Sequence, residues 1–377
     1  MKRLLAILLA AMFALSMVAC GAPATQPAPA APAEPGAVEP PAAQPSTDGT
    51  YEIALVTDVG NIDDKSFNQG AWEGVVAYAE ANGKTYNYYR PSEDSDEARI
   101  ETIRTAIDKG AKVVVCPGYL FATAIATLQG DYADVSFLGL DLGLGDIPEP
   151  TANTALITYQ EEQAGYFAGY AAIKEGFTKL GFLGGMAVPA VVRFGYGFVQ
   201  GANDAAKELD IVGDVSLKYW YSDSFAPTDD IKTKMSGWFT EGTEVVFACG
   251  GGIYLSAIAA AEEAGAKIIG VDRDQADDAE LIITSAFKSL APSVQMALEA
   301  LYGNGGVWPA QYGGIETKLG AKEECVGLPT ADTSWRLANY TVAEYQELYA
   351  KVQSGEVTVS ASIDTTPIVD IAVAYQN

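Results

Sequence analysis

From Thr57 to Gly74 the chain reads TDVGNIDDKSFNQGAWEG, a loop that places three aspartates, a lysine, an asparagine and a phenylalanine between an apolar run and a helix-like run. Polar groups at this density serve either a metal-assisted or acid–base reaction or the wall of a small-molecule site. Composition weighs against the first. No histidine occurs anywhere, which removes the commonest general base and the commonest metal ligand together. The four cysteines, Cys20, Cys116, Cys249 and Cys325, show no CxxC or other metal-ligand spacing. Cys116 in KVVVCPG and Cys249 in EVVFACGGG close apolar runs, as small buried fillers do. No metal and no cofactor is therefore expected. With 49 acidic against 23 basic side chains and a formal charge of −26, charge-driven binding to nucleic acid or to an anionic membrane surface is disfavoured as well.

Short β-branched or aromatic runs alternate with stretches of helical spacing along the chain. YEIALVT precedes a segment in which Ala71, Val75 and Ala79 share a face, and TYNYYR precedes one in which Ile100, Ile103 and Ile107 do. KVVVCPG, VSFLGLD, LGFLGG, VSLKYW, EVVFACGG and KIIGVD continue the rhythm, with Gly, Pro or Asp closing each before the next helix. Strand, helix, strand in alternation predicts an α/β fold of parallel sheets covered by helices on both faces. In such sheets ligands bind in the crevice at the carboxyl ends of the strands. The groups standing there are Asp58, the turn at 118–121, Asp141, the segment 186–189, Phe225, the glycines at 250–252 and Asp272. Carboxylates accept hydroxyl or ring N–H donors at roughly 1.5–3 kcal/mol each, and an aromatic face against a base contributes about 1–3 kcal/mol. The set suits a neutral ligand with hydroxyls and a flat ring, and it repels phosphate.

The first residues, MKRLLAILLAAMFALSMVAC, read as an export signal: two positive residues, an apolar core too short for a membrane span, and a small-residue boundary before Cys20. The spacing predicts cleavage after residue 19 and lipidation of Cys20. Residues 20–50 hold eight prolines among Ala, Gly, Gln and Ser with no apolar periodicity, which predicts an extended tether. The protein is thus expected on the extracytoplasmic face of the cell membrane, held by a lipid anchor in which each buried CH₂ contributes about 0.8 kcal/mol. The remaining stretch, from Tyr51 to Asn377, exceeds what one hydrophobic core usually organises, so two lobes are expected. Near its end, Trp335, Tyr340, Tyr345 and Tyr349, with YTVAEYQELYAKVQSG at helical spacing, predict a helix docked on the second lobe.

In order and spacing, TDVGNIDDKSFNQGAWEG, GGMAVPAVVRFGYGFVQG, VVFACGGG and IIGVDRDQ followed by ITSAFKSL resemble the basic membrane protein family of solute-binding lipoproteins, which includes purine nucleoside receptors of ABC importers. The likeness runs from residue 51 onward. It implies the type I periplasmic-binding-protein fold, two Rossmann-like lobes with parallel sheets joined by three crossovers near Thr158, Ser285 and Gly313. On that division residues 51–157 with 286–312 form the N-terminal lobe, and 158–285 with 313–377 the C-terminal lobe. The resemblance implies a monomeric binding protein rather than an enzyme, with a purine nucleoside as ligand and the permease and ATPase subunits of an importer as partners.

Carried over by position, the resemblance makes Phe67 one face of an aromatic sandwich and Phe225 the other, with Trp220 or Tyr221 as alternatives to Phe225. Asp58, Asn68 and Asp141 meet the ligand from the first lobe, Asp272 and Lys288 hold ribose hydroxyls from the second, and Ser66, Tyr119 and Gly251 complete the set. Two departures from the family pattern, PGYLF near Tyr119 and APTDD after Phe225, fall inside it. A sugar-binding receptor of the same fold is the alternative, because stacking rings and carboxylates serve hexoses too. A nucleoside hydrolase fits less well. Its calcium-binding opening, Asp-Thr-Asp-Pro-Gly-x-Asp-Asp, meets Val56 in place of the first Asp and an extra residue between Gly60 and Asp63, and no histidine can protonate a leaving base.

Overall fold

The computed structural model describes residues 49–376. The export signal, Cys20 and nearly all of the tether lie outside the described residues. In chain order the elements of the first half are β1 (Ile53–Val56), α1 (Phe67–Asn82), β2 (Tyr86–Tyr89), α2 (Asp96–Asp108), β3 (Val113–Pro117), α3 (Ala122–Leu128), β4 (Ser136–Leu140) and β5 (Thr154–Tyr159). There follow α4 (Glu161–Glu175), β6 (Lys179–Gly184), α5 (Pro189–Glu208), β7 (Ser216–Tyr221), α6 (Asp229–Thr240), β8 (Val245–Cys249), α7 (Ile253–Ala264), β9 (Lys267–Asp272) and β10 (Ile282–Lys288). The chain continues through α8 (Leu290–Gly303), β11 (Glu316–Leu319), β12 (Val326–Gly327), α9 (Val342–Ser354) and β13 (Ala372–Gln376).

Two sheets result. The first runs β11-β5-β4-β3-β1-β2 and the second β12-β10-β9-β8-β6-β7-β13. Every pairing is parallel except β10 with β12. The central strands β1, β3 and β8 are buried at every position, as strands covered by helices on both faces must be. Ala71, Val75 and Ala79 of α1 are fully buried, as their spacing predicts, while on α2 Ile103 is buried and its neighbours Ile100 and Ile107 are half-buried. The chain changes sheet at residues 160, 289 and 320–325, against the crossovers expected near Thr158, Ser285 and Gly313. The third crossing is furthest from expectation because β11 pairs with β5 before the chain leaves the first sheet.

Helices α4 and α5 meet at backbone contact. A methyl group on Gly165, Gly169, Gly197 or Gly201 would stand 2.0–2.1 Å from a carbonyl oxygen of the facing helix. Those four glycines let the two helices lie closer than side chains permit, and the same pair carries Phe167 and Phe198 into the core. Helix α8 returns to the first sheet, where Leu290 and Ala291 press on Gly70 and Gly74 of α1. The aromatic cluster near the end is divided: Tyr345 and Tyr349 belong to α9 and pack on Phe167 of α4, whereas Trp335 and Tyr340 precede that helix. Cys116, Cys249 and Cys325 are buried and free. Among the described residues no helix is long and apolar enough to cross a membrane.

Candidate functional site

The carboxyl ends of both sets of strands face one cavity, the place where ligands bind in open α/β sheets. From the first sheet come Asp58 after β1, Phe67 and Asn68 at the start of α1, Tyr119 after β3 and Asp141 after β4. The second sheet supplies Phe225 after β7, Gly251 after β8, Asp272 at the end of β9 and Lys288 at the end of β10. Nine of the ten positions singled out in the sequence therefore line one wall or another. Ser66 does not: it is fully buried beside the cavity, and its hydroxyl donates to Asp272 Oδ2 at 2.5 Å across the two sheets.

On the first wall the loop is held by its own carboxylates. Asp64 accepts from the backbone N–H groups of Ser66, Asn68 and Gln69, so it caps α1 in place of the N-cap serine, whose hydroxyl makes no capping bond. The Asn68 amide donates to Asp58 Oδ1 at 2.8 Å and to Asp64 Oδ2 at 3.0 Å, and its oxygen accepts from Asp58 N. Burial pushes Asp64 up to about 6. Asp58 is raised by burial too, against the opposing pull of its Gly60 and Asn68 hydrogen bonds and of the Arg99 guanidinium.

The other end of the cavity is charged and closed. Lys288 is 4 % exposed. Its Nζ lies 2.5 Å from Asp141 Oδ2, 3.6 Å from Asp272 Oδ1 and 3.7 Å from Glu161 Oε1, and 4.4 Å from the centroid of the Phe67 ring. Arg193 of α5 donates to the far oxygen of Glu161 at 2.6 Å. Burial pushes Asp141 up to about 7, although Lys288 pulls it down, and three carboxylates around the ammonium keep Lys288 charged. Burial acts to raise Glu161 as well, but the Arg193 and Lys288 charges outweigh it and its carboxyl falls below the ordinary value. Asp141 and Asp272 both adopt left-handed backbone, φ 56° and 67°, a conformation costing a non-glycine residue about 1–2 kcal/mol and least rare for Asp and Asn. Asp141 Oδ1 is buried without a partner among the described residues.

Phe225 lies over Gly185, Gly250 and Gly251; a methyl at Gly185 would come within 2.5 Å of its ring. Trp220 and Tyr221, the alternatives to it, are turned away: Trp220 packs with the cluster on the outer face of the second sheet, and Tyr221 bonds Tyr219 at 2.7 Å. Phe194 and Cys249 also line the cavity, and Glu161 and Arg193 support it from behind. Glu161 carries no local signal of its place here, because an acid in the first turn of a helix reads as an ordinary partner of the helix dipole. Outside the cavity the loop is clasped by the second half. Lys65 pairs with Asp278 at 2.8 Å, Tyr254 donates to the same carboxylate, Gln275 donates to Lys65 O at 3.0 Å and Arg273 reaches Glu73 at 3.3 Å. Lys65, half exposed, thus links the loop to the second half.

The family described as ABC transporter substrate-binding protein PnrA-like matches residues 52–362. The chain is 28% identical over 306 residues to Basic membrane protein B of Borreliella burgdorferi, covering 76% of this chain and 83% of that one. It is also 28% identical over 237 residues to the ABC transporter nucleoside-binding protein BmpA of Lactococcus lactis, covering 59% of this chain and 64% of that one. Among solved structures, an ABC transporter solute-binding protein from Aeropyrum pernix superposes with a TM-score of 0.70 at 22% identity, covering 83% of this chain and 94% of that one.

Proposed function

Because the chain belongs to the PnrA-like family of ABC transporter substrate-binding proteins, we propose that it captures a purine nucleoside in the cavity between its two sheets and delivers it to a membrane permease. The observation that carries this reading is the Asp141–Lys288–Asp272 set at the end of a cavity walled by Phe67 and Phe225. Two carboxylates flanking one ammonium match a ribose: each hydroxyl donates to an aspartate and accepts from Lys288. The unpartnered Asp141 Oδ1 is a buried acceptor that such a hydroxyl would satisfy. The base then lies between the rings, where each face contributes about 1–3 kcal/mol. The nucleoside-binding relative supports the same ligand class.

Capture in this reading involves no bond-making, and the protein acts as a monomer outside the cytoplasm. Cys20, outside the described residues, is its lipid anchor. Replacing Cys20 with Ser should shift the protein from the membrane to the soluble fraction. Calorimetry with a nucleoside and hexose panel tests the ligand. Phe67→Ala should weaken purine nucleosides by about 5-fold to 150-fold, and Phe67→Tyr should change little. Binding of hexoses and of no nucleoside would overturn the assignment.

A further inference from the structure

The Lys288 ammonium stands at nearly equal range from two carboxylate oxygens, 3.6 Å from Asp272 Oδ1 and 3.7 Å from Glu161 Oε1, and is hydrogen-bonded to neither. Its short contact is to a third, Asp141 Oδ2 at 2.5 Å. Asp272 has one oxygen left to offer a ligand: Oδ2 already accepts the Ser66 hydroxyl, which leaves Oδ1. Glu161 stands behind the cavity wall with its side chain fully buried; Arg193 takes its Oε2 at 2.6 Å, and Oε1 has no hydrogen-bond partner among the described residues. The backbone fixes this pair. Glu161 opens α4 and Arg193 lies on α5, where a methyl on Gly165 would meet Phe194 O and one on Gly197 would meet Glu162 O, each at 2.0 Å. The residues next to Glu161 and Arg193 are thus held in backbone contact between the helices, and the Glu161 carboxylate is not free to follow the ammonium.

We infer that Glu161, pinned by Arg193, is a positioning residue for recognition of the ligand's hydroxyls: its charge holds the Lys288 ammonium back from Asp272, so that Asp272 Oδ1 stays open to a hydroxyl donor and Lys288 keeps an N–H to give. The inference rests on the nucleoside reading, in which a ribose lies at this end of the cavity. Two carboxylate oxygens at 3.6 and 3.7 Å pull on the ammonium with nearly equal strength. Nζ stands about 0.7–0.9 Å short of a charge-assisted bond to Asp272. Without the Glu161 charge the balance fails and that bond closes. One acceptor and one donor are then lost to the ligand together, and a hydroxyl brought to the site finds both already paired.

The test is calorimetry on the full-length protein with inosine and 2′,3′-dideoxyinosine, which lacks both ring hydroxyls. Glu161→Gln keeps the shape and an acceptor for Arg193 but removes the charge; it should weaken inosine by about tenfold and leave dideoxyinosine within about twofold. Glu161→Asp retains the charge and should keep most of the preference for inosine; a loss as large as that of Glu161→Gln would make shape rather than charge the cause and overturn the inference. A merely structural role would lower both affinities together, so equal losses in Glu161→Gln overturn it as well. Melting curves identify a variant that fails to fold, and a crystal structure of the unaltered protein with inosine needs no variant: a ribose hydroxyl should lie on Asp272 Oδ1 with Lys288 Nζ still out of bonding reach of that oxygen. A direct Lys288–Asp272 bond there would overturn the inference while leaving nucleoside capture intact. Failure of inosine to bind the unaltered protein would instead overturn the function on which it rests.

Discussion

Gly169→Ala and Gly237→Ala add the same methyl group to two helices, and the structure assigns them opposite signs. At Gly169 the added carbon would stand 2.1 Å from Phe198 O and 2.9 Å from Ala202 N, both backbone atoms of α5. No rotamer change relieves backbone atoms, so α4 and α5 must separate by about 1 Å. Overpacking of this kind costs about 1–3 kcal/mol, and the rigidity of the obstacle puts Gly169 at the upper end. At roughly 2 °C per kcal/mol or somewhat more for a chain of this size, the melting temperature should fall by about 4–8 °C. Gly237 lies exposed on α6 with nothing within 4 Å of an added methyl and no left-handed backbone. There the helix propensity of alanine should act alone, stabilising by about 0.5–1 kcal/mol and raising the melting temperature by about 1–2 °C. Thermal unfolding followed by circular dichroism reads both. Arg193 and Phe194 ride on α5, so Gly169→Ala should also weaken ligand binding, and Gly237→Ala should not. A neutral or stabilising Gly169→Ala would refute the close-contact account of the α4–α5 pair.

Glu162 is buried at the start of α4 with one carboxylate oxygen unpartnered, and burial together with the charge of Glu161 pushes it up to about 7. A carboxyl raised in the fold holds its proton more tightly than in the unfolded chain, so the stability it confers is present below its ordinary value and lost as pH rises through about 7. Glu162→Gln should therefore raise the melting temperature at pH 8, with the gain shrinking toward pH 5; an equal shift at both pH values would sink the assignment. Lys65→Met removes an ion pair that is half exposed, so its effect should be small, a rise in ligand off-rate of about twofold to fivefold. Because Lys65 lines no part of the cavity, the ranking of ligands should stay fixed, and stopped-flow release of inosine and adenosine would show a changed ranking if the clasp acted through the ligand. Asp272→Asn should penalise ribonucleosides more than 2′-deoxynucleosides in calorimetry, and equal losses would remove Asp272 from hydroxyl recognition.

The alternation of β-branched or aromatic runs with helical spacing identified β1 to β4 and β6 to β9: β1, β3, β4 and β8 are buried and apolar nearly throughout, and the half-buried β2 and β7 stand out by their aromatic residues. It passed over β5, TALITY, which follows a long irregular stretch, and β11 and β12, which have four and two residues. β13 was hidden because it reaches β7 only after the extended segment beyond α9. The strand-end rule pointed to Asp58, Asp141 and Asp272 because topology alone puts such positions at the crevice. What no local pattern could reveal was how groups distant in sequence engage one another: Ser66 with Asp272, Lys288 with Asp141, Arg193 with Glu161. The saturation of Asn68 was equally hidden, since it depends on two carboxylates converging on one amide.

Asp141 follows β4 and Asp272 ends β9, and these strands hold the same place in their sheets when β2-β1-β3-β4-β5-β11 is set beside β7-β6-β8-β9-β10-β12. Both residues make the same left-handed turn. The two aspartates thus occupy matching places in the two sheets. One strand further on the sheets differ: β10 closes with Lys288 and its counterpart β5 closes with Tyr159, over whose ring the lysine sits at 5.3 Å. A vicinal diol has a local dyad of its own, so its two oxygens can meet the paired carboxylates on equal terms. The single ammonium then gives the arrangement a direction, deciding which way round the rest of the ligand must lie. One ammonium beside a matched pair of acceptors is enough to give the receptor an orientation.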